Sequence, residues 1–254
     1  MKAIILAAGR GSRLAGRTQD APKCLARLAG KTLLDWQLSA LSEAGVEDIA
    51  VVGGYMVEKL RALCAGPVPF IVLENPRWAE TNMLVSLACA AEWSAGAETV
   101  ISYSDIVYPA RHVRPLLARA EPLSLTYDRL WEKLWSFRQN GNPLEDAETF
   151  RQEDGILKEI GAKPRGLGEV QGQYMGVLKF TPESWQIWNK RLATLGPAAD
   201  RTDMTGFLRL LLADGVKIGA AAVDGAWCEA DTERDLDLYE AALNAGHFSH
   251  DWRY

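Results

Sequence analysis

The first 23 residues, MKAIILAAGRGSRLAGRTQDAPK, run an apolar strand straight into a glycine-rich, basic loop. Ala3 to Ala8 form a continuous apolar run without alternation. Such a run suits a strand buried on both faces, as in a parallel sheet covered by helices. Gly9 and Gly11 follow, and glycine lets backbone N–H groups approach an anion because it has no Cβ and reaches positive φ cheaply. Arg10, Arg13 and Lys23 add positive charge. This is the anatomy of a phosphate cradle at the end of a first strand, and the plainer alternative is an ordinary basic loop.

Spacing separates three phosphate-loop patterns. G-x-G-x-x-G fails because Leu14 stands at the third glycine. G-x-x-x-x-G-K-[ST] fails over Gly11 to Thr18 because Arg17 replaces the lysine. The compound pattern L-A-A-G-x-G-x-R followed by P-K is matched without exception by Leu6 to Arg13 and Pro22-Lys23. That stretch resembles the signature of nucleotidyltransferases that join an NTP to a phosphorylated small molecule, the family of sugar-nucleotide pyrophosphorylases and phosphocholine or phosphonate cytidylyltransferases. The resemblance implies a three-layer, Rossmann-like, mostly parallel α/β sheet with helices on both faces and a small β-hairpin insertion. It also implies a single domain over residues 1–254, with an acceptor-binding insertion around 128–165.

Length and composition agree with one large α/β domain: 254 residues, 48% hydrophobic and 24% charged. A formal net charge of −5 argues against a nucleic-acid partner held on a broad basic surface. The N-terminal apolar run is too short for a membrane span or a signal peptide. Cys24, Cys64, Cys89 and Cys228 are scattered without a C-x-x-C pair and read as reduced core fillers of a cytoplasmic protein. His247 and His250 read as a polar tail after a helix that stops at Gly246. An oligomer is compatible with the sequence, which fixes no assembly state.

Strand and helix alternate along the first third: a helix over 32–44, a strand over 48–53, a helix over 56–65 and a strand over 70–73. Asn82 caps the next helix by pattern, and the strand TVISY ends at Ser104-Asp105, the edge where open α/β sheets place ligands. A strand over 123–127 precedes DRLWEKLWSFRQNGN, which puts Trp131 and Trp135 on one helical face, either core or acceptor wall. Residues 148–163 read as a hairpin turning at Asp154-Gly155, then strand 173–180, a helix opened by Thr181-Pro182, helix 203–213 and strand 218–223. Thr232 and Asp235 form a capping-box pattern for a helix ending near Ala245.

The resemblance assigns roles to particular residues. Leu6, Ala7, Ala8, Gly9, Gly11, Ser12 and Ser104 would bind nucleotide, and Thr81 and Asn82, in an element similar to T-N-x-x-x-S-L of the phosphocholine-type enzymes, would help hold the base. Arg13 would grip the β- and γ-phosphates and Lys23 the α-phosphate, making these the catalytic pair. Asp105, with Asp231 of a W-x-E-x-D-like segment, would bind Mg²⁺, with Glu229 a third ligand or a neighbour of the ligands. Arg129, Trp131, Trp135, Lys163 and Trp227 would bind the acceptor, the tryptophans as an aromatic wall for a cation. CTP and a phosphorylated or phosphonate acceptor, such as phosphocholine or 2-aminoethylphosphonate, are the expected substrates. The alternatives are a UTP- or dTTP-dependent sugar-1-phosphate enzyme and a non-catalytic nucleotide-binding paralogue. The second would lack one of Arg13, Lys23, Asp105 and Asp231, and none is missing.

Overall fold

The computed structural model describes residues 1–18 and 20–254, without the side chains of Ala15 and Arg17, so the residue at the lysine position of the rejected P-loop pattern lies outside the described side chains. Strand β1 (Lys2–Ala7) lies parallel between β2 (Asp48–Gly53) and β4 (Thr99–Tyr103), with Lys2 opposite both Asp48 and Thr99. β3 (Ile71–Glu74) pairs in parallel with β2. Beyond β4, β8 (Gln173–Phe180) runs antiparallel between β4 and β5 (Leu123–Asp128), and β9 (Ile218–Val223) is parallel to β5. The hairpin of β6 (Phe150–Glu153) and β7 (Ile156–Ile160) closes that side through an Ile156–Gly219 pairing. The nine strands make one mixed, mostly parallel sheet in the order β3-β2-β1-β4-β8-β5-β9-β7-β6.

The unalternating run of β1 is explained by its two buried faces. Ala3, Ile5 and Ala7 join α1 (Leu33–Glu43), α3 (Ala110–Leu117), α4 (Trp131–Arg138) and α7 (Glu233–Asn244) in one core. Ile4 and Leu6 join α2 (Met83–Ala88), α5 (Pro182–Leu195) and α6 (Met204–Ala213) in the other. Caps fix the entry of the chain into these helices: Thr32 and Thr232 complete capping boxes with Asp35 and Asp235, Thr181 accepts from Ser184 N, and Asp203 from Gly206 N.

Two expectations fail. The helix expected over 56–65 is confined to Val57–Arg61; beyond it the chain tightens into turns, with Leu63 N donating to Leu60 O and Cys64 N to Arg61 O, three residues back instead of four. The C-terminal HFSHDWRY is not a polar tail. Phe248 packs against the first core, Trp252 is 2% exposed within it, and His250 is fully buried. No helix among the described residues is long and apolar enough to cross a membrane.

Candidate active site

The site lies beyond the carboxyl ends of β1 and β4. A two-residue antiparallel pairing of Ile106–Val107 with Cys228–Glu229, together with Ala230 N donating to Asp105 O at 2.8 Å, brings the late acidic segment beside Asp105. As a result the carboxylates of Asp105, Glu229 and Asp231 each present an oxygen within 4.8 Å of the others. Lys23 Nζ bridges two of them, donating to Asp105 Oδ2 at 2.7 Å and Asp231 Oδ1 at 2.9 Å. Arg13 Nη2 adds a 3.0 Å contact to Asp231 Oδ1. Gly11 makes the approach possible. At its φ of +69°, a Cβ would sit 2.6 Å from the Lys23 Cβ, so only glycine leaves room for the lysine stem.

These neighbours set the charges. Burial acts to lower the Lys23 value, but Asp105 and Asp231 outweigh it and hold the ammonium well above its ordinary range. Burial acts to raise Asp231, and Glu229, Lys23 and Arg13 outweigh it, so this carboxyl lies well below the usual carboxylate range. Glu229 is pushed well up by desolvation and by Asp231. Asp105 Oδ1 is buried with no hydrogen-bond partner among the described residues. Three hard carboxylate donors in one cluster, one with an orphaned buried oxygen, are a donor set that fits a magnesium-sized dication.

Arg138 supports this cluster from below. Its side chain is 2% exposed and reaches Asp235 Oδ1 at 3.2 Å, Glu229 Oε2 at 3.4 Å and Asp231 Oδ2 at 3.5 Å. The guanidinium also stacks 5.0 Å from the Trp135 ring. No local pattern announces that Arg138 will find its partners about a hundred residues later in the chain.

Two cavities meet at the Lys23 cluster. One, of about 180 Å³, is bounded by Leu6, Ala8, Gly9, Gly11, Lys23, Trp78, Thr81, Asn82, Met83, Ser86, Ser104 and Asp105. The other, of about 230 Å³, lies on the side of Arg13, Glu229 and Asp231 and extends to Trp135, Asp146, Glu148 and Tyr174. A larger cavity of about 550 Å³ beside α1 holds none of these groups, so size does not mark the site.

Most of the expected nucleotide residues thus share one cavity. Ala7 does not line it; the sheet pleat turns it into the core, where it is 2% exposed. Ser12 is exposed in a short turn, Ser12–Leu14, outside the lining. Asn82 serves as the helix cap, its Oδ1 accepting from Met83 N at 2.7 Å, and also borders the cavity. Trp78, Met83 and Ser86 were missed, although the last two lie inside the TNMLVSL element.

The expected acceptor set does not assemble. Trp131 is 4% exposed and donates from Nε1 to Val170 O, and Trp227 is 1% exposed and donates to Asp128 Oδ2 at 3.0 Å. Both are core: α4 carries Trp131 into the first core, and Trp227, just before the Cys228–Glu229 pairing, packs there against the Trp135 ring at 5.9 Å. Only Trp135 reaches the second cavity. Arg129 is engaged at the surface by Asp224, at 2.6 and 2.8 Å. Lys163 Nζ donates to the carbonyls of Leu144 and Glu145 and lies in a different cavity, behind the hairpin.

Trp227 is positioned by a buried polar junction. Asp128, fully buried, accepts from His250 Nε2 at 2.9 Å, Gly225 N at 2.7 Å, Leu130 N and Trp227 Nε1. Despite burial, these donors hold its value below the ordinary one. The C-terminal segment therefore pins the start of the acidic segment, and the alternation Phe248, His250, Trp252 was the signal that could have revealed it.

Comparisons with known proteins bear on the family and the fold. Residues 3–134 match the model of the MobA-like NTP transferase domain. The CTP:phosphoglutamine cytidylyltransferase of Campylobacter jejuni is 34% identical over 250 residues, spanning 94% of this chain and 98% of that protein. The 2-aminoethylphosphonate cytidylyltransferase of Lancefieldella rimae is 34% identical over 111 residues, 44% of this chain and 45% of that protein. The inositol-1-phosphate CTP transferase from T. maritima superposes with a TM-score of 0.73 at 19% identity, over 95% of this chain and 96% of that one, an agreement of fold.

Proposed function

The chain belongs to the MobA-like NTP transferase family, and from that premise we propose that it transfers CMP from CTP to a small phosphorylated or phosphonate acceptor, releasing pyrophosphate. The observation that carries the reading is the Lys23–Asp105–Asp231 node at the meeting point of two cavities, one bordered by the glycine loop and the other by Arg13. CTP is favoured by the two cytidylyltransferase relatives and by Thr81-Asn82 beside the first cavity.

In this reading Trp78, Thr81, Asn82, Met83 and Ser86 enclose the base end. Backbone N–H groups of Gly9 and Gly11, with Arg13, hold the β- and γ-phosphates, and Lys23 leans on the α-phosphate. The acceptor's phosphate or phosphonate oxygen enters from the second cavity and attacks the α-phosphorus in line, and the α–β bridging oxygen leaves with pyrophosphate. That oxygen is already anionic, so no side-chain nucleophile is needed. Positioning and charge neutralisation lower the barrier, as in phosphoryl transfer generally. Asp105 and Asp231, with Glu229 beside them, would hold Mg²⁺, which when bound supplies positive charge that offsets repulsion between the two anions and stabilises the leaving pyrophosphate.

The test is pyrophosphate release from CTP, UTP, dTTP, ATP and GTP against a panel of phosphorylated small molecules, with Mg²⁺ and with EDTA. The expected result is the highest kcat/KM with CTP, lost in EDTA. Faster turnover of UTP or dTTP with a hexose 1-phosphate would move the chain to the sugar-nucleotide branch. No release from any pair would overturn the reading.

A further inference from the structure

The second cavity carries more negative charge than nucleotidyl transfer uses. At its inner end Glu229 and Asp231 are matched by Lys23, Arg13 and Arg138. Two more carboxylates border it, Asp146 exposed at the mouth and Glu148 half-buried further in. Neither side chain has a hydrogen bond or ion pair among the described residues. Both carboxyls are held above their ordinary values, Asp146 by desolvation against the pull of Arg138, and Glu148 by desolvation together with Asp203 and Asp146. An acceptor made only of phosphate and hydroxyl groups would add negative charge to this end and find no free cation among the described residues, because Arg13 and Arg138, which act on Asp146, already hold Asp231. Lys163 could have supplied one, but its donors are directed at the Leu144 and Glu145 carbonyls, where they strap the loop that carries Asp146.

A second observation lies on the same wall. Trp135 is 2% exposed, borders the cavity, and its Nε1 is buried with no hydrogen-bond partner among the described residues. Tyr103 and Tyr174, packed edge to face at 5.7 Å, add aromatic surface. β8 makes room for them through a break in its pairing with β5 between Tyr174 and Leu178, at Gly176, whose φ is +83° and where a Cβ would meet the Tyr103 ring at 2.6 Å. The cavity therefore offers donors to an anion at its inner end and carboxylates with aromatic surface toward its mouth.

Resting on the transferase reading above, we propose that Asp146 and Glu148 are the recognition site for a protonated amine on the acceptor. The chain then selects phosphates or phosphonates with a cationic tail over neutral-tailed ones of the same shape. Selectivity of this kind comes from charge-assisted hydrogen bonds and from leaving the two carboxylates unmatched when the wrong molecule binds.

Matched pairs test it: 2-aminoethylphosphonate against propylphosphonate, and 2-aminoethyl phosphate against propyl phosphate. For each pair, kcat/KM is measured by pyrophosphate release with CTP, and binding to the wild-type chain is measured by calorimetry without nucleotide. The amine-bearing member should be preferred by about tenfold or more, as loss of a charged hydrogen bond implies. Asp146→Asn and Glu148→Gln should each narrow that preference, and the double variant should reduce it to near parity while the KM for CTP stays within about twofold. Equal binding of both members of each pair by the wild type, or a preference unchanged in the double variant, would overturn the proposal. Selective binding without turnover would keep it and overturn the transferase reading.

Discussion

Arg138 holds the acidic end of the site together, and Arg138→Met removes its charge while keeping much of its apolar stem. The guanidinium is buried against Glu229, Asp231 and Asp235, and Asp235 in turn accepts from Asp231 N at 3.0 Å and Thr232 N at 2.9 Å. Removing one partner from a buried ion pair costs about 3–5 kcal/mol, because the remaining charge is left uncompensated. For a chain of this length each kcal/mol corresponds to about 2–4 °C, so the variant should unfold roughly 6–20 °C lower at pH 8. The loss should depend on pH. Without Arg138, Glu229 rises further above its ordinary value. An acid whose folded value is raised destabilises the fold at high pH, and the cost is relieved as pH falls toward the ordinary carboxylate range. The gap from wild type should therefore narrow at pH 5, and Arg138→Lys should recover part of it at pH 8. Thermal unfolding by circular dichroism in EDTA reads both effects. A midpoint within about 2 °C of wild type at pH 8, or a gap as wide at pH 5 as at pH 8, would refute the argument that Arg138 neutralises these acids.

Asp105→Asn and Asp231→Asn should each lower kcat by a factor on the order of 10² or more while leaving the far-ultraviolet spectrum unchanged; full Mg²⁺-dependent turnover would remove that residue from the site. Gly11→Ala forces a side chain into a φ of +69° and against Lys23, so the KM for CTP should rise and stability fall by about 1 kcal/mol or more; unaltered kinetics would separate the loop from nucleotide binding. His112 is 5% exposed, and burial, helped by Arg111, lowers its value from 6.5 to about 4. Between those values the unfolded chain binds the proton and the folded chain does not, so stability is lost as pH falls through that window, by about 3 kcal/mol in total. Urea unfolding at pH 7 and pH 4.5 should show a smaller decline for His112→Leu than for wild type, and an equal decline would place the acid sensitivity elsewhere.

What the sequence determined was local. The unalternating run of β1, the glycine loop, the hairpin turn at Asp154-Gly155 and the caps at Thr32, Asn82, Thr181 and Thr232 are written in neighbouring residues, because strand burial, turn geometry and capping involve groups only a few positions apart. Lys23, Asp105 and Asp231 were also within reach, since each sits in a short motif at the end of a strand or helix. The tertiary structure alone decided which side chains share a cavity. Trp131, Trp135 and Trp227 have the same chemistry in the sequence, and all three are buried, yet only Trp135 borders the cavity. The His250–Asp128 contact spans 122 positions, Arg138–Asp235 spans 97, and the two carboxylates Asp146 and Glu148 stand near Arg13 only because the chain has returned past the cradle. Periodicity reports which face of an element is apolar. Which distant charge will lie against that face is fixed only when the layers pack, because burial and electrostatic pairing depend on distance in space and not on separation along the chain.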